Sequence, residues 1–153
     1  MKVLVLNGPN LSRLDIRDSS IYGDLNYPEL VSLIESSCKT HGFEADVRQS
    51  NDESEIISWL HEAADNATPV IINPAAFTHY SYAIRDAAEL VKAPLIEVHL
   101  SNPLAREEFR HTSVISGVAN GTIGGFGPNS YVLAIIALKA CLLYTSDAAD
   151  EGL

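Results

Sequence analysis

The sequence predicts an α/β fold, a three-layer domain in which helices cover both faces of a five-stranded parallel sheet. Two observations carry that prediction. Strand-like stretches alternate with stretches of helical period along the chain, the pattern of successive β-helix-β units. The strand candidates "VLVL" (Val3–Leu6) and "PVIIN" (Pro69–Asn73) also run apolar without alternation, as strands covered on both faces do.

The first strand opens onto a long connector, "LNGPNLSRLDIRDSSIYG" from Leu6 to Gly23. Pro28 then stands where the first turn of a helix tolerates it, and Leu30, Val31, Ile34 and Cys38 recur at helical spacing. Gly42 closes that helix as a residue able to take the left-handed conformation. "FEADVRQS" (Phe43–Ser50) alternates Ala45 and Val47 with Asp46 and Arg48, so it reads as a more polar edge strand. Ile56, Ile57, Leu60, Ala63 and Ala64 trace the next helix, capped by Asp52 or Ser54. After "PVIIN" the spacing predicts a helix over about Tyr80–Val91, a strand at Pro94–Leu100, and a short helix near Pro103–Phe109. A strand within Val114–Gly125 and a helix from about Asn129 to Leu143 complete the pattern. Flavodoxin-like strand order is the simplest arrangement, and in such sheets ligands bind beyond the carboxyl ends of the strands.

The chain has 153 residues, 46% of them hydrophobic, enough for one domain over residues 1–143 with a substantial core. The final stretch, 144–153, is small, acidic and aperiodic, and reads as a disordered or non-native tail. A formal charge of −10 argues against a nucleic-acid partner or an anionic membrane surface. No apolar run approaches a membrane span and no charged leader precedes one, so the expected compartment is the cytoplasm. The two cysteines, Cys38 and Cys141, lie within helical patterns and read as free, buried or partly buried thiols.

Polar residues collect directly after the strands: Asn7, Asn10, Arg17 and Tyr22 after the first, Asn73, His79 and Ser81 after the third, and Glu97, His99, Ser101, Arg106, Arg110 and His111 around the fourth. Glu97 and His99 are two apart on a strand and share a face, so the carboxylate can hold one imidazole nitrogen and leave the other to exchange a proton. A structural ion pair is the competing reading. Asn102 before Pro103 reads as a helix cap whose following N–H groups favour an anion, reinforced by Arg106 and Arg110 or else by neither, if both pair with Glu107 and Glu108. A metal at His99 needs a third ligand such as His79 or His111, and no tight ligand spacing supports one.

Several chemistries lack their motifs. GxSxG, GxGxxG after the first strand and GxxxxGK[ST] are absent, and Lys2, Lys39, Lys92 and Lys139 lie away from the loops where a Schiff base would form. Proton transfer remains. A cation such as Arg17 beside Tyr22 favours phenolate, so Tyr22 is a candidate base opposite His99 as acid, unless it is a loop aromatic packed at the surface.

With these residues set out, "LNGPNL", Arg17 followed by "IYG", "INPAAFTH", "IEVHLSN" and "REEFRHTS" resemble, in order and spacing, type II 3-dehydroquinate dehydratase over about Lys2 to Ala140. The resemblance implies a flavodoxin-like fold and the anti elimination of water from 3-dehydroquinate through an enolate, without metal or cofactor. It implies Tyr22 as the base, Arg17 beside it on a lid, Arg106 favouring tyrosinate, Asn10 holding the water that stabilises the enolate, and His99, oriented by Glu97, as the acid. Asn73, His79, Leu100, Ser101 and Arg110 match substrate-binding positions, and Asp86 matches a residue supplied to a neighbouring subunit. The implied assembly is a homododecamer built from trimers. The alternative is an inactive flavodoxin-like homologue that binds an anionic metabolite or a partner protein. Leu14-Asp15 and Asp18-Ser19 stand in the lid where the family commonly has Leu-Gly and Glu-Pro.

Overall fold

The computed structural model describes the backbone of residues 1–150 and the side chains of residues 1–143, so the tail expected over 144–153 lies outside the fully described residues. Five parallel strands form the sheet: β1 (Lys2–Asn7), β2 (Glu44–Gln49), β3 (Val70–Asn73), β4 (Leu95–His99) and β5 (Gly121–Gly124). Their order is β2-β1-β3-β4-β5, the flavodoxin-like arrangement, with the polar β2 at an edge as its alternation predicts. The helices are α1 (Ser19–Tyr22), α2 (Tyr27–Thr40), α3 (Glu53–Asn66), α4 (Tyr82–Glu89) and α5 (Asn129–Asp150).

The unbroken apolar character of β1 is used on both faces. Val3 and Val5 pack with Leu30, Ile34 and Cys38 of α2 and with Tyr131, Ala134, Ile135 and Leu138 of α5. Leu4 and Leu6 pack with Ile56, Leu60 and Ala63 of α3 and with Ile84, Ala87 and Ala88 of α4. Full burial of such side chains stabilises by about 1.5–3 kcal/mol each, so the two layers clamp the sheet. Helix starts agree with their sequence signals. Asn26 and Glu29 form a reciprocal capping box on α2, Asp52 caps α3 through the Ser54 N–H, and Gly42 takes φ 84° after α2.

One expected element differs. The segment near Pro103–Phe109 is two 3-10 turns, Pro103–Ala105 and Glu108–Arg110, rather than a short α-helix. Arg106 between them is extended, at φ −118° and ψ −162°. Its guanidinium bonds Tyr22 and Ser101, and those tertiary contacts outweigh the local helical pattern. Arg106 and Arg110 are therefore not neighbours on one helix face.

Parallel register brings the strand ends together. Asn7 pairs with Gln49 on one side and Asn73 on the other, and His99 pairs with Gly124. The residues that follow these ends form one rim, and the candidate site lies there.

Candidate active site

The connector after β1 is ordered into a 3-10 turn, Leu11–Ile16, and the single-turn α1. Leu11 and Leu14 anchor the turn in the core. Asp18 caps α1, accepting from the Ser20 N–H at 2.9 Å and its hydroxyl at 2.7 Å, while Asp15 pairs with Arg13 at 3.1 Å. Asp15 and Asp18, two of the three residues that depart from the resemblance in this connector, thus make local contacts within it.

Tyr22, at the end of α1, meets two cations. Arg106 Nη2–H donates to Tyr22 Oη at 2.7 Å, and the Arg17 guanidinium lies 3.6 Å from the ring centroid. Burial pulls Arg17 below its ordinary value against the attraction of Tyr22, and Arg106 and Arg110 add repulsion, yet a guanidinium stays charged. Arg106 also donates through Nη1 to Ser101 Oγ at 3.1 Å. Its Nε is buried without a hydrogen-bond partner, and the nearest carboxylate contact, Glu107 Oε1, is 4.0 Å away.

On β4, Glu97 and His99 do share a face. His99 Nε2–H donates to Glu97 Oε2 at 2.6 Å, and Nδ1 is the ring nitrogen that this bond leaves over. Glu97 is fully buried, at 0% exposure. Burial alone would raise its carboxyl, but the bond and charge of His99 and the hydroxyls of Thr78 and Ser116 outweigh that and hold it below the usual value.

At the β1 end the chain passes β3 at close quarters: a Cβ on Gly8 would stand 2.5 Å from the Pro74 carbonyl oxygen. Asn10 adopts φ 71°, which Asn tolerates, and its N–H donates to Asn51 Oδ1 at 3.0 Å. Asn51 Oδ1 also accepts from Gln49 Nε2, whose other acceptor is the Gly8 carbonyl. Asn73 Oδ1 accepts the Ala75 N–H, and Nδ2 gives one hydrogen to Tyr131 Oη at 2.9 Å, so its second N–H is the group left for a ligand.

One pocket, about 590 Å³ counting its open mouth, joins Asn10, Arg17, Tyr22, Asn73, His79, His99, Leu100, Ser101, Arg106 and Arg110. His79 is fixed by an Nδ1–H bond to the Thr112 carbonyl at 2.8 Å, and Arg110 pairs with Glu107 at 2.8 Å while still lining the pocket. The Ser101 N–H has no acceptor among the described residues. Asp86 is not brought to this pocket; it is exposed on α4, 3.6 Å from Arg85. Among the described residues no cluster of three His, Cys, Asp or Glu side chains could hold a metal ion, and no helix is long and apolar enough to cross a membrane.

The family model described as "Dehydroquinase class II" matches residues 1–139. The chain belongs to the type II dehydroquinase family. A 3-dehydroquinate dehydratase of Salinispora tropica is 53% identical over 140 residues, covering 92% of this chain and 98% of that one. That of Mycobacteroides abscessus is 53% identical over 135 residues, 88% and 94% of the two chains. The crystal structure of type II dehydroquinase from Propionibacterium acnes superposes with TM-score 0.88 at 47% identity, over 91% of this chain and 96% of that one.

In this type II dehydroquinase, sequence reading missed the groups behind the site. Thr78, Ser113 and Ser116 surround Glu97, and Tyr131 of α5 bonds Asn73 and Asn7. The hydroxyls sit in loops with no periodicity to mark them. Tyr131 carries the apolar signature of a core-facing helix residue, which hides its polar end.

Proposed function

We propose that the chain converts 3-dehydroquinate to 3-dehydroshikimate and water, as a hydro-lyase of the shikimate pathway, by anti elimination through an enolate. One observation carries this: a phenol held by two guanidinium groups shares a pocket with an imidazole backed by a buried carboxylate. Family membership favours this reading over an inactive binding homologue.

Tyr22 is the base. Arg106 and Arg17 stabilise negative charge on its oxygen, so tyrosinate takes the proton alpha to the ketone and the C–H electron pair moves onto the ketone oxygen. Asn10 holds the water that stabilises this enolate. The enolate collapses to a carbon–carbon double bond as the C–O bond breaks, and His99, oriented by Glu97, gives its proton to the departing hydroxyl, which leaves as water. Tyr22 ends protonated and His99 deprotonated, and a proton passed between them through solvent resets the site. Leu100 and Ser101 receive the substrate carboxylate through their backbone, with Asn73, His79 and Arg110 binding the remaining polar groups.

The same proposal takes residues 1–143 as one catalytic domain in the cytoplasm, with neither metal nor cofactor. Asp86, exposed and remote from its own pocket, is the contribution to a neighbouring subunit in a homododecamer of trimers. The product is a conjugated enone, so purified protein with 3-dehydroquinate gives rising ultraviolet absorbance; no rise at any pH sinks the proposal. Chelator treatment leaves the rate unchanged, and sedimentation finds the assembly. A fully active monomer refutes the part given to Asp86.

A further inference from the structure

The carboxylate behind His99 is enclosed by three hydroxyl groups from two segments, the turn after β3 and the loop between β4 and β5. Thr78, in the turn after β3, donates to Oε2. Ser113 donates to Oε1 at 2.9 Å and to Oε2 at 3.0 Å, and Ser116 donates to Oε1 at 2.7 Å. The direction of the Ser113 bonds is fixed by what stands behind them. Ser113 Oγ accepts the backbone N–H groups of Ile115 and Ser116, at 3.1 and 3.0 Å, which turns its hydrogen toward Glu97. Ser116 gives its hydrogen to Glu97, so Thr122, 3.0 Å from Ser116 Oγ, is the donor in that contact.

His99, Thr78 and Ser116 complete the set of donors around the carboxylate. An ionised carboxylate accepts only, and His99, Thr78, Ser113 and Ser116 supply donors to both of its oxygens, the set that favours the charged form. The arrangement also pins rotation: the terminal carboxyl torsion has broad, shallow preferences, so one bond to His99 would not fix it, but donors on both oxygens do. A fixed carboxylate requires a hydrogen on His99 Nε2.

We infer that Thr78, Ser113 and Ser116 are positioning residues for proton delivery: together they hold Glu97 as an oriented carboxylate and so keep neutral His99 in its Nε2–H tautomer. Nδ1 is then the ring position that takes up and delivers the proton. This rests on His99 as the acid of the proposed elimination, and it adds the groups that decide which nitrogen acts.

The test uses 15N-labelled full-length protein at a pH where the ring is neutral, with the His99 signals assigned by their loss in His99→Gln. Wild type shows a protonated Nε2 and an unprotonated Nδ1. In Ser113→Ala combined with Ser116→Ala, the two ring signals move toward the average of both tautomers. The kcat of that variant falls about tenfold, the effect of a lost hydrogen bond on orientation, and KM stays within about twofold. Ser116→Thr, which keeps a hydroxyl, retains the wild-type signals and rate. A wild-type ring protonated on Nδ1 overturns the inference even if no variant folds, as does a double variant with unchanged tautomer and kcat. Absence of enone formation by wild type, with the Nε2–H tautomer intact, would instead refute the reaction and leave this geometry standing.

Discussion

Tyr131→Phe isolates one hydroxyl group whose contribution is read from its surroundings. Tyr131 is fully buried, and its hydroxyl donates to Asn7 Oδ1 at 2.6 Å while accepting from Asn73 Nδ2 at 2.9 Å. Burial raises the phenol above its ordinary value, so the neutral, donating form is the one present. Its removal leaves Asn7 Oδ1 and one Asn73 N–H short of partners, at residues that are 0% and 3% exposed. Each orphaned group costs about 1–3 kcal/mol, and the variant regains the desolvation of its own hydroxyl, so the net loss is about 2–4 kcal/mol. In a chain of this length that lowers Tm by about 4–16 °C. Urea denaturation of both proteins at one concentration, followed by circular dichroism, measures it; an unchanged m assigns the difference to native contacts. A loss below about 0.5 kcal/mol would refute the claim that the Tyr131 hydroxyl satisfies Asn7 and Asn73.

Three other outcomes follow from the same contacts. Glu97 has a folded value below its unfolded one of 4.5, so its stabilisation is complete above that pH and is lost as pH falls through the folded value; Glu97→Gln therefore flattens acid unfolding below about pH 4.5, seen by circular dichroism, and an unchanged acid limb contradicts it. Gly8→Ala drives a methyl group against the Pro74 carbonyl at 2.5 Å and costs about 2–4 kcal/mol by denaturant titration; a neutral effect would show that β1 and β3 can part there. Asn51→Ala frees the Asn10 N–H and lowers kcat about tenfold, Asn51→Asp keeps the acceptor and most of the rate, and equal kcat for the Ala variant and wild type removes Asn51 from the account.

Much of the site was legible because it depends on rules that read directly from residues. The alternation of β4 placed Glu97 and His99 on one face, and parallel topology directed attention to the ends of β1, β3 and β4, where Asn10, Asn73 and Ser101 line the pocket. The short helix expected near Pro103–Phe109 fails because Asn102 and Pro103 do start a turn, but Arg106 leaves it in extended conformation to reach Tyr22. The Glu97 hydroxyls were not legible at all. Thr78, Ser113 and Ser116 meet only after β3, β4 and the turn before β5 are in place, and an isolated serine carries no sign of the partner it will find.

The central claim is that Tyr22, activated by Arg106 and Arg17, removes the proton that starts the elimination. Its most direct test follows enone absorbance from 3-dehydroquinate for wild type beside Tyr22→Phe, with substrate binding measured by calorimetry. Wild type turns over, and Tyr22→Phe loses about 10²–10⁴ in kcat while still binding substrate. A Tyr22→Phe rate equal to wild type would contradict the account.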